Sequence, residues 1–190
     1  MQYASENPEG LVIFADGSDN PGGGAPCDGT VALRAMIEAD FQAGVVGVLH
    51  DPETASAAHA AGVGAEIDVV IGGKTDDQHG ASVVTRARVQ TLSDGKYVHH
   101  GAMMRGLAGE FGPMAVLQVG GVEVVVSTYR RQLLDRDMLR IVDIDPQTRR
   151  LLVVKSAVHF RADLGPLASK IFDADTPGIH RPDFAGFKYQ

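Results

Sequence analysis

Two short stretches concentrate the side chains that could do chemistry. The first is Asp16-Gly17-Ser18-Asp19-Asn20-Pro21-Gly22-Gly23-Gly24 and the second is Lys155-Ser156-Ala157-Val158-His159-Phe160-Arg161-Ala162; each directly follows an apolar run. Gly22, Gly23 and Gly24 can take positive φ and let backbone N–H groups approach an anion or a developing oxyanion, helped by the positive end of a helix expected to start near Asp28. The same glycines also suit a plain flexible turn. Asp19 and Asn20 sit where a carboxylate and an amide could reach a substrate, whereas Asp16 and Asp28 read as turn or capping residues. In the second stretch, His159 can hold a proton or stabilise an oxyanion near neutral pH. Arg161 can clamp a carboxylate through two parallel bonds, and Lys155 places a compact positive charge beside Ser156. A single histidine is more often structural than catalytic, so both readings of His159 stay open.

Other candidates are weaker. Gly72-Gly73-Lys74 also follows a strand-like run and could add a third wall to a shared cleft, with His50 facing it. His99 and His100 are adjacent, so on a strand they face opposite sides and form no chelate. His79, Asp76 and Asp77 read as a solvated polar loop, and His59 as a solvated helix position. Cys27 has no histidine close in sequence, which argues against a nucleophile, although a helix N-terminus would activate it. No His-Glu-x-x-His, paired cysteine or calcium-loop pattern occurs, so no metal ligands are assigned within the chain. The glycines also miss the nucleotide-binding fingerprints, because no helix opens at once after them and no Gly-Lys-Ser/Thr follows.

The elements that must position these groups alternate. Leu11-Val12-Ile13-Phe14-Ala15 is an unbroken apolar run, as expected of a strand buried on both faces of a parallel sheet. A helix follows, capped by Asp28, carrying Leu33, Met36, Ile37 and Phe41 at helical spacing and stopped by Gly44. Val45 to Leu49 is a second strand. Asp51-Pro52 then opens an alanine-rich helix through Ala61 that Gly62 closes, and Ile67 to Ile71 is a third strand. This grammar predicts an α/β fold with a mostly parallel βαβ core. From about Val83 to Thr128 it changes to short strands, Val83–Val89, Lys96–His99, Ala115–Val119 and Glu123–Ser127. Hairpin signals at Ser93-Asp94-Gly95 and Gly120-Gly121 separate them, so an antiparallel hairpin insertion is expected. Beyond it come a short helix over Asp135–Ile141, a strand at Leu151–Val154, a helix over Phe160–Ser169 disturbed by Pro166, and a last strand at Lys170–Asp173. If the Leu11 and Leu151 strands are parallel, the glycine loop and the His159 corner leave the sheet at one edge, where ligands of open α/β sheets bind.

Composition narrows the function. The 190 residues carry 17 Lys+Arg against 24 Asp+Glu, a net charge of −7 with no basic run, which disfavours nucleic-acid and anionic-membrane partners. No apolar run reaches the ~20 residues that span a bilayer, and the N-terminus lacks a leader pattern, so the cytoplasm is the default compartment. One cysteine, Cys27, can form no internal disulfide and no cysteine-based zinc site.

Taken in order, Asp19-Asn20-Pro21-Gly22-Gly23-Gly24, Asp28-Gly29-Thr30, Asp51-Pro52, Gly72-Gly73-Lys74, Asp145-Pro146, Lys155-Ser156-Ala157-Val158-His159-Phe160-Arg161-Ala162 and Thr176-Pro177-Gly178 resemble the C-terminal half of the microcystin-degrading MlrC metallopeptidase family. The resemblance runs from about Gly10 to Gly178. It implies a C-terminal domain spanning 10–178, between a short extension, 1–9, and an irregular tail, 179–190. It also implies a zinc-dependent hydrolase of peptide or amide bonds about twice this length, with its Glu, Asp and His zinc ligands in an N-terminal half. On that reading the chain by itself is inactive and its partners are the metal-binding domain and a peptide or amide substrate; a surface left uncovered by the absent half could also pair copies of the chain. The reading that the residues alone leave open is a non-catalytic module that holds an anion or phosphate on the Gly22–Gly24 loop.

Overall fold

The computed structural model describes residues 2–7 and 9–180. Its strands are β1 Leu11–Ala15, β2 Gly44–His50, β3 Glu66–Ile71, β4 Val83–Ser93, β5 Lys96–Val98, β6 Ala108–Glu110, β7 Met114–Val119, β8 Val122–Ser127, β9 Leu151–Val154 and β10 Ala168–Asp173. Its helices are α1 Gln2–Glu6, α2 Val31–Glu38, α3 Pro52–Ala61 and α4 Asp137–Arg140. Eight strands form one sheet in the order β10-β1-β9-β2-β8-β7-β4-β3, and β5 and β6 form a separate antiparallel pair. The contacts from β10 through β8 are all parallel, and those from β8 to β3 are antiparallel. The expected class therefore stands: α/β, with a parallel core and an antiparallel segment that here continues the same sheet.

The apolar runs are continuous because both faces of the central strands are covered. Val12 of β1 and Leu151 and Val153 of β9 join the core under α2 and α3, with Leu33, Met36, Ala55 and Ala58. Leu11, Ile13, Leu152 and Val154 point the other way, into a core closed by Phe111, Leu133, Leu139, Phe160 and Leu164. Successive side chains alternate between the two, as strand geometry requires.

Four expectations need correction. The run at Ile67–Ile71 is not part of the parallel core: β3 is the sheet's edge strand, antiparallel to β4. Its alternation of exposed Glu66, Asp68 and Val70 with buried Val69 and Ile71 marks a half-covered strand. The turn at Asp94-Gly95 leads into the small sheet rather than folding β4 back on itself. The helix expected over Phe160–Ser169 is two 3₁₀ turns, His159–Ala162 and Gly165–Leu167, followed directly by β10, since Pro166 cannot continue an α-helical hydrogen-bond ladder. Finally, Thr30 rather than Asp28 occupies the N-cap position of α2, and the helix ends at Glu38, so that Phe41 lies in the turn beyond it and Gly44 begins β2. Asp51 does cap α3, accepting from the Thr54 N–H at 3.1 Å. Among the described residues no helix is long and apolar enough to cross a membrane. Of the expected tail, residues 181–190 lie outside the described residues.

Candidate functional site

Because β1 and β9 are adjacent and parallel, the loops that follow them leave the same edge of the sheet. The glycine loop and the His159 corner therefore share a rim, and a charged cluster fastens them together underneath. Lys155 is 1 % exposed, and its ammonium meets Gly29 O at 2.6 Å, Asp16 Oδ2 at 2.7 Å and Asp19 Oδ2 at 3.0 Å. Three acceptors surround a group with three N–H bonds, so it is fully used. Burial alone would lower the pKa of Lys155, but the charges of Asp16 and Asp19 and their hydrogen bonds override it and hold the ammonium above its ordinary value.

Asp19 is turned inward. Its Oδ1 accepts from the Cys27 N–H and its Oδ2 from the Gly29 N–H, both at 2.7 Å, which folds residues 27–29 around it. Gly29 is glycine for this reason, since a Cβ there would stand 2.8 Å from Asp19 Oδ2 and 3.1 Å from Lys155 Nζ. Asp16 also accepts from the Thr176 hydroxyl, which ties the segment after β10 to the same cluster. Asn20 Oδ1 accepts from the Gly22 N–H at 3.0 Å. Both Asp19 and Asn20, expected to reach outward, are thus buried and occupied in shaping the loop.

The glycine loop does not offer the expected cradle of N–H groups. The Gly22 N–H is spent on Asn20 Oδ1, those of Gly23 and Ala25 on Asn20 O, and that of Gly24 on Pro21 O. What the glycines provide is room: a methyl on Gly22 would overlap Gln132 Oε1, and one on Gly23 would overlap the His180 ring. Gln132 lies in the segment after β8. Its Nε2 donates to the Oγ of buried Ser156 at 2.8 Å, and its Oε1 lies 3.2 Å from His159 Nδ1. His159 itself is exposed. Beside it, a cavity of about 650 Å³ is lined by Gly17, Ser18, Ala157, Val158, Arg161 and His180, among others. Arg161 is paired there with exposed Asp173.

The Gly72-Gly73-Lys74 segment is fastened to Asp28 and Asp51. The Lys74 N–H and the Thr75 N–H and hydroxyl all reach Asp28 Oδ2 at 2.9 Å, while Gly72 N donates to Asp51 Oδ2. Lys74 Nζ meets Asp51 at 2.7 Å. His79 corrects the solvated-loop reading: it is 1 % exposed, its Nδ1 lies 2.8 Å from Asp76, and its Nε2 accepts from the Ile179 N–H at 3.3 Å. The Asp76-x-x-His79 spacing was the available signal. Gln132 and His180 had none, being single polar residues whose partners are remote in sequence. Cys27 is buried and donates to Val48 O at 3.2 Å. Burial, and then the Asp19 charge, push its thiol pKa well up, which makes it inert rather than activated.

These residues do not fit a metal ion. Among the described residues no three His, Cys, Asp or Glu side chains are grouped to hold one, and the two buried carboxylates nearest the site, Asp16 and Asp19, are already committed to Lys155 and to N–H and O–H donors.

Comparison with known proteins points the same way as the motifs. A family model for the MlrC C-terminus matches residues 14–190. Microcystinase C of Sphingomonas sp. is 29% identical over 160 residues, which are 84% of this chain and 31% of that protein. A crystal structure of a candidate metallopeptidase from Mesorhizobium sp. BNC1 covers all of this chain and 40% of its own length, with a TM-score of 0.87 at 23% identity, a likeness of fold. The chain spans about a third of the length of these relatives, a smaller share than the half expected from the motifs.

Proposed function

The chain belongs to the MlrC C-terminal family, and from that premise we propose that it is the substrate-side domain of a zinc-dependent hydrolase that cleaves peptide or amide bonds. The zinc, which would polarise the scissile carbonyl and activate water, is held by a domain outside this chain. The observation that supports a cleft wall here is the junction of the glycine loop with the His159 corner through Gln132. His159 presents its free ring nitrogen at the open rim. There it takes or returns a proton, or donates to the oxyanion of the tetrahedral intermediate. Arg161, at the cavity beside it, orients a substrate carboxylate, for which the weak, exposed Asp173 pair is readily exchanged. Lys155, Asp19, Asn20 and Ser156 act indirectly, by holding this wall. The single cysteine, buried and with no second cysteine to pair with in this sequence, is compatible with a reducing compartment such as the cytoplasm.

The rival anion-binding module lost its support with the glycine-loop N–H groups. Two measurements test the proposal. In the enzyme carrying the metal-binding domain, His159→Ala should lower kcat/KM by about 10²–10³; an unchanged value removes His159 from the chemistry. Metal analysis of the purified chain should find zinc well below stoichiometric, and tight zinc binding by this chain alone would overturn the placement of the metal.

A further inference from the structure

We infer that Gln132 is a positioning residue that locks His159 in the Nδ1–H form and so makes Nε2 its working atom; this rests on the proposed role of His159 for its meaning, though not for its test. The amide of Gln132 bridges two partners. Its Nε2 donates to the Oγ of Ser156, which is fully buried, and its Oε1 faces His159 Nδ1 at 3.2 Å. An amide oxygen only accepts, so Nδ1 carries the proton. In a neutral imidazole the other nitrogen is then the acceptor. In water an imidazole side chain favours the opposite tautomer, with the proton on Nε2, so the arrangement needs a partner to impose it.

The glycine loop supplies the space for that partner. A Cβ on Gly22 would overlap Gln132 Oε1, and the Gly22 backbone is not in the positive-φ region. A methyl there would therefore act first on the Gln132 amide, the movable end of a flexible side chain, with only a tight 3.2 Å contact to Asn20 Oδ1 within the turn. One arrangement thus accounts for a glutamine with no local sequence signal, for Ser156 and for the first glycine of the loop.

The test is the tautomer of His159, read from its ring nitrogens by long-range ¹H–¹⁵N correlation on the ¹⁵N-labelled chain at a pH where the ring is neutral. Assignment comes from the signal lost in His159→Asn. The wild type should show Nδ1 protonated. Gln132→Ala should move the population toward Nε2–H, and Gly22→Ala should do the same with Gln132 intact. Gln132→Glu, which keeps an acceptor, should restore Nδ1–H. A wild-type His159 in the Nε2–H form, or a spectrum unmoved in Gln132→Ala, overturns the inference. No substrate is involved, so this outcome is separate from that of the His159→Ala activity measurement: the lock can hold in a protein whose His159 proves uncatalytic.

Discussion

Replacing Lys155 with methionine removes the one cation from a cluster in which Asp16 and Asp19 are almost fully buried. Methionine keeps most of the side chain's volume, so the change isolates the charge. Breaking a buried ion pair from one side costs about 3–5 kcal/mol, because the remaining charge is left without compensation. For a chain of this size each kcal/mol corresponds to about 2–4 °C, so the melting temperature should fall by roughly 6–20 °C. Calorimetry or circular dichroism on the purified chain measures this. The pH dependence gives a second check. The folded-state pKa of Lys155 is raised above its ordinary 10.5, so its contribution is complete below that pH and is lost as the pH rises through the folded value. The gap between wild type and Lys155→Met should thus be constant near neutrality and narrow only above pH 10.5. A melting temperature within about 2 °C of wild type, on the scale above, would refute the idea that this cluster fastens the two halves of the rim.

Further outcomes follow from the same geometry. Gly29→Ala forces a methyl against Asp19 Oδ2 and Lys155 Nζ, both pinned by their partners, and should cost about 1–3 kcal/mol in urea unfolding. Asp51→Ala removes the α3 cap together with the anchor of Gly72 and Lys74. It should cost about 2 kcal/mol or more, with faster proteolysis in residues 72–82. For Asp76, burial works to raise the pKa but the hydrogen bonds from His79 and the Gln78 N–H outweigh it, leaving the carboxyl below its ordinary 3.8. Its contribution is therefore present above that pH and lost as the pH falls through the folded value, and Asp76→Asn should flatten the loss of stability seen in melts stepped down through pH 3.8.

The relatives' lengths give these results a setting. The chain spans about a third of their length, and the buried Asp16, Asp19 and Lys155 are spent on internal fastening.

Much of this protein is local and therefore readable from residue order. The runs at Leu11–Ala15 and Leu151–Val154 specify doubly covered strands because every side chain in them is apolar. Asp51-Pro52 specifies a helix start because cap and first-turn preferences act within four residues. The class of the fold follows from such signals, whereas the shared rim required that β1 and β9 be parallel neighbours. Tertiary structure alone decided that β9 lies between β1 and β2, since strand pairing is a contact between segments that local periodicity does not record. It also decided what the polar residues do. Lys155 finds Asp16 across 139 positions and Gln132 finds Ser156 across 24, and whether a carboxylate faces a substrate or a backbone N–H depends on which groups the sheet brings within 3 Å. Asp19 looked like a reagent because its neighbours in sequence are glycines; it is a fastener because its neighbours in space are Cys27, Gly29 and Lys155.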